Sequence, residues 1–163
     1  EDLKKNSQKK LLDSTKSIFE PGEYEVNNIP IQSHAVKLNT ENLDESTNIY
    51  SVISENMTIC YLNEISKISI PANVTESIGK IDILICISND SSDQSVEAIN
   101  SLLSSIDPKI LIIAEKESNQ DTTEIYQKLI KGLGQSSEDP AINANITKSN
   151  LSDSIKVINL KKS

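Results

Sequence analysis

IDILICI, residues 81–87, decides how the rest of the chain is read. Only Asp82 interrupts the apolar run, and a run of that kind is expected of a strand covered on both faces. Downstream, apolar residues stand at 96, 99, 102, 103 and 106, which predicts a helix over Val96 to Ile106. Asp107-Pro108 stops it, because the residue before a proline is pushed out of the helical region. KILIIA, residues 109–114, is then a second buried strand. A strand, a helix and a strand in that order imply a right-handed crossover and parallel pairing. Apolar residues at 125, 126, 129, 130 and 133 predict a further helix over Thr122 to Leu133, ended by Gly132 and Gly134. The Ser-rich 135–141 stretch reads as a loop, and KVINL, residues 156–160, as a last strand at an edge.

Upstream of residue 81 the grammar is that of hairpins. Tyr24-Glu25-Val26 and Ile29-Pro30-Ile31 flank Asn27-Asn28, a pair that tolerates the positive φ of tight turns. Pro21-Gly22 turns the chain before them, and alternation puts Tyr24 and Val26 on one face and Glu23 and Glu25 on the other. Ile49 to Ile53 and Thr58 to Leu62 form a second hairpin over Ser54 to Asn56, rich in β-branched residues. Residues 3–16 give a polar, helical entry anchored by Leu11 and Leu12, and Asn39 to Thr47 a polar loop. Hairpins followed by β-α-β predict an α/β domain with a mixed sheet, one domain over residues 1–163 with no internal repeat.

Composition narrows the function classes. Hydrophobic residues are 36% and aromatics 3%, so the core is aliphatic. A net charge of −8 argues against nucleic acid and against anionic membrane surfaces. No window is apolar over the roughly 18 residues of a membrane span, and the first thirty positions hold no signal-peptide stretch. The sequence reads as that of a soluble, cytoplasmic protein, in which the Asn-x-Ser/Thr triplets at 56, 73, 89, 145 and 150 are compositional. The sequence does not begin with Met, which fits a chain starting inside a longer one. Cys60 and Cys86 lie in apolar runs with no CxxC partner and read as buried thiols rather than a metal pair. His34 is the only histidine and reads as structural, since no nucleophile motif points to it. The four glycines form neither a phosphate loop nor a GxGxxG turn.

In order, PGEYEVNNIPIQ, TNIYSVISENMTICYLNEI, KIDILICIS, IDPKILII and the tail from YQKLIKGLG through TKSNLSDSIKVINL resemble the metallo-β-lactamase superfamily, in its metal-dependent hydrolase branch related to ascorbate-phosphate lactonases. The resemblance runs from about Ile18 to Leu160. It implies an αββα sandwich, mixed sheets with outer helices, a site at one rim of the sheets, and a further N-terminal part before residue 1. Such proteins bind one or two metal ions, commonly zinc, through histidines and a bridging aspartate, and the metal supplies hydroxide from a bound water.

Residue by residue, the ligands are replaced. The family's histidine-rich loop would fall near residues 1–5, which read EDLKK. The counterpart of a His-Leu-Gly-Asp motif is Tyr61-Leu62-Asn63-Glu64, with tyrosine for histidine and Glu64 at the bridging-aspartate position. Lys67 stands where some relatives carry another histidine, and Ile113-Ala114-Glu115 replaces a final Pro-Met-His. Glu64 and Glu115 are the remaining metal candidates, for a hard cation such as magnesium or calcium. Lys67 and Lys116 beside them favour a salt-bridged rim. The resemblance then implies a degenerate hydrolase without zinc or catalysis, retained as a binding, scaffold or subunit-interaction module. The other reading is a metal-dependent hydrolase of phosphoesters or lactones, completed by an N-terminal part or a partner chain. Exposed strand edges predict a protein partner or a homo-oligomer.

Overall fold

The computed structural model describes residues 17–37, 46–63, 70–87, 92–114, 123–136 and 139–160. Among the described residues seven strands form one mixed sheet in which spatial order repeats sequence order. The strands are β1 (Gly22–Val26), β2 (Ile29–Lys37), β3 (Ser46–Ser54), β4 (Met57–Asn63), β5 (Ile83–Ile87), β6 (Ile110–Ala114) and β7 (Lys156–Leu160). β1 to β4 are an antiparallel meander, and β4 to β7 run parallel. The described helices are α1 (Ala72–Ile78), α2 (Asp93–Ile106) and α3 (Thr123–Gly132).

Both hairpin turns need left-handed backbone at their two central residues. Asn27 and Asn28 have φ of 53° and 62°, and Glu55 and Asn56 of 51° and 60°, the signature of turns whose twist matches that of the strands. Asparagine tolerates that region, whereas glutamate pays for its Cβ. Glu55→Asn is therefore expected to stabilise the protein by about 0.5–1 kcal/mol, read as a rise in the urea midpoint. A midpoint that does not move would show that the turn carries no strain.

α2 starts at Ser92, whose Oγ accepts the Ser95 N–H at 3.3 Å, and ends at Asp107 in left-handed conformation. Its inward residues Ile99 and Leu103 join Ile125, Tyr126, Leu129 and Ile130 of α3 and Val74 of α1. These helices cover one face of the sheet, packing on Val36, Ile49, Cys60, Leu62, Leu84, Cys86, Leu111, Ile113 and Val157. Exposed Lys128 of α3 links to Asp93 at the start of α2 at 3.1 Å. Burial pushes the Cys60 thiol up to about 12, and drives the Cys86 thiol higher as well. Both are free thiols held in their inert form, as the sequence suggests.

The opposite face is covered differently. The 141–151 segment crosses it, and Ile146 and Leu151 pack on Met57, Ile83, Ile110, Ile112 and their half-buried neighbours. Asp82, 4% exposed, fastens this segment. Lys148 Nζ lies 2.9 and 3.0 Å from its two carboxylate oxygens, and the Thr58 N–H donates to Oδ2 at 3.0 Å. Its backbone N–H donates to Thr58 O, and its carbonyl accepts from the Lys109 and Ile110 N–H groups. One residue thereby ties the starts of β4, β5 and β6 together.

Several elements differ from the sequence reading. β2 runs six residues beyond Ile31, and β3 begins at Ser46, inside the expected loop, because Ile31 to Lys37 pair in register with Val52 to Ser46. α1, a short helix after Pro71, was not expected. Of the αββα sandwich, the described residues supply one mixed sheet and the helical layer on one of its faces, so β5 is covered by helices on one side only. The expected 3–16 helix and most of the 39–47 loop lie outside the described residues.

Candidate rim site

The carboxyl ends of parallel strands are where open α/β sheets place ligands, since the strands stop there and the loops open. Asn63 of β4, Ile87 of β5 and Ala114 of β6 end in one register row. These strand ends lie along one end of the sheet. Glu64, Lys67 and Glu115 lie outside the described residues, so Tyr61 is the one expected site position that the structure places.

Tyr61 pairs across the β3–β4 ladder with Tyr50, the ring centroids 6.3 Å apart and tilted by 48°. Together with Phe19, Ser46, Thr47, Asn48 and Asn63 they line a recess of about 400 Å³. Two of its walls are set by the chain entering β1. The Tyr50 hydroxyl donates to Ile18 O at 3.0 Å, and Asn48 Nδ2 to Phe19 O at 2.5 Å. Among the described residues the buried Asn63 Oδ1 has no hydrogen-bond partner, a costly arrangement in a settled interior. Tyr50, Asn48 and Asn63 escaped the sequence reading. Tyr50 was within reach, because a turn centred on Glu55-Asn56 pairs it with Tyr61.

His34 stands elsewhere. Its register partner is Ile49, on the helix-covered face, whereas Tyr61 and Tyr50 face the other side. It borders a separate recess with Glu23, Gln32 and Asn73, and its buried Nε2 has no partner among the described residues. The sheet itself separates it from the rim.

The donors that the described residues place in the rim recess are the phenols of Tyr50 and Tyr61, the amides of Asn48 and Asn63 and the hydroxyls of Ser46 and Thr47. Among the described residues no three His, Cys, Asp or Glu side chains come together. Zinc selects imidazole, thiolate and carboxylate, so this set does not fit it. A neutral amide oxygen suits a hard cation only as one ligand of six or more.

No protein-family model matches the chain, and no curated protein does. Solved structures do. A candidate zinc-dependent hydrolase of the metallo-β-lactamase superfamily from Thermotoga maritima superposes with a TM-score of 0.59 at 14% identity, over 91% of this chain and 73% of that one. A candidate metal-dependent hydrolase from Parabacteroides distasonis superposes with a TM-score of 0.56 at 17% identity, over 96% of this chain and 62% of its own. This chain thus spans less than two thirds of the second protein. At such identities the likeness is one of fold, and the fold of this chain is of the metallo-β-lactamase type.

Proposed function

We propose that the chain is a binding or subunit-interaction module built on a hydrolase fold, without metal-dependent catalysis of its own. The observation that carries this reading is Tyr61. It occupies the position where the resemblance calls for a histidine ligand, and it is committed to an aromatic pair with Tyr50. A phenol is a poor substitute for imidazole, because its proton stays on near neutral pH. The amide of Asn63 beside it cannot supply the charge that lowers the pKa of a bound water.

The competing reading is a phosphoesterase or lactonase whose ligands come from outside the described residues, Glu64 and Glu115 among them. Metal analysis of protein grown with added zinc and manganese separates the two. The expected result is zinc and manganese well below one equivalent per chain, with phosphodiester and lactone hydrolysis at background. One equivalent of metal, lost to a chelator together with hydrolysis, would overturn the proposal.

A further inference from the structure

We draw no further inference here: the strongest candidate, the recess beside the start of β1 lined by Glu23, Gln32 and His34 of the sheet and Asn73 of α1, carries nothing, because the unpartnered His34 Nε2 is itself closed to solvent and nothing among the described residues shows what fills the recess.

Discussion

Leu84→Ala should lower the unfolding free energy by about 3–4 kcal/mol, near the upper part of the range for emptying a well-packed leucine site. Leu84 is wholly buried in β5, in a row with Cys60 of β4, Leu111 of β6 and Val157 of β7 beneath the helices. Strands on both sides hold the backbone in place, so the cavity has little room to collapse. Against a total stability of about 5–15 kcal/mol, the loss is a large fraction. Urea denaturation should show a lower midpoint with an unchanged slope. A loss below about 1 kcal/mol would mean that helices and sheet are not closely packed there.

Asp82→Asn is expected to cost about 2 kcal/mol at neutral pH, because it leaves the Lys148 ammonium facing an amide and weakens the bond from Thr58. The ammonium is half exposed, so water recovers part of its energy and the loss stays below that of a fully buried pair. Burial alone would push the Asp82 carboxyl up, but the hydrogen bonds from Lys148 and Thr58 and the Lys148 and Lys80 charges outweigh it and hold its pKa below the ordinary carboxylate value. A carboxyl depressed in the folded state contributes stability above its unfolded pKa of about 3.9 and loses it as pH falls through the folded value. The gap between parent and variant should thus be full at pH 6–7 and shrink below about pH 4. Equal stability of the two proteins at pH 7 would show that the ion pair does not hold the 141–151 segment. Limited proteolysis gives an independent readout, since cleavage in that segment should accelerate in the variant.

The parallel half of the sheet was open to sequence reading because its strands are buried enough to be nearly all apolar. IDILICI and KILIIA each leave little choice, and the spacing at 96, 99, 102, 103 and 106 leaves less. The meander was harder. SHAVK, which completes β2, alternates without strong apolar character, and its strand conformation is imposed by pairing with β3 rather than by its own residues. α1 had too few anchors to announce itself, with Val74 as its one buried residue. At the rim, Tyr61 was found through likeness to known hydrolases, whereas the orphaned oxygen of Asn63 depends on packing that no spacing encodes. The alternation of β1 was legible from the outset, but which face of the sheet the described helices would cover was not.

Strand neighbours in space that are also neighbours in sequence have a consequence during synthesis. Each new segment leaving the ribosome meets an edge already formed by the one before it, and nothing must be threaded between strands placed earlier. The meander can close within microseconds, while the later strands wait for their crossover helices. Until KVINL arrives, the outer border of β6 is the growing tip, and that is the moment when a stray extended peptide could take its place.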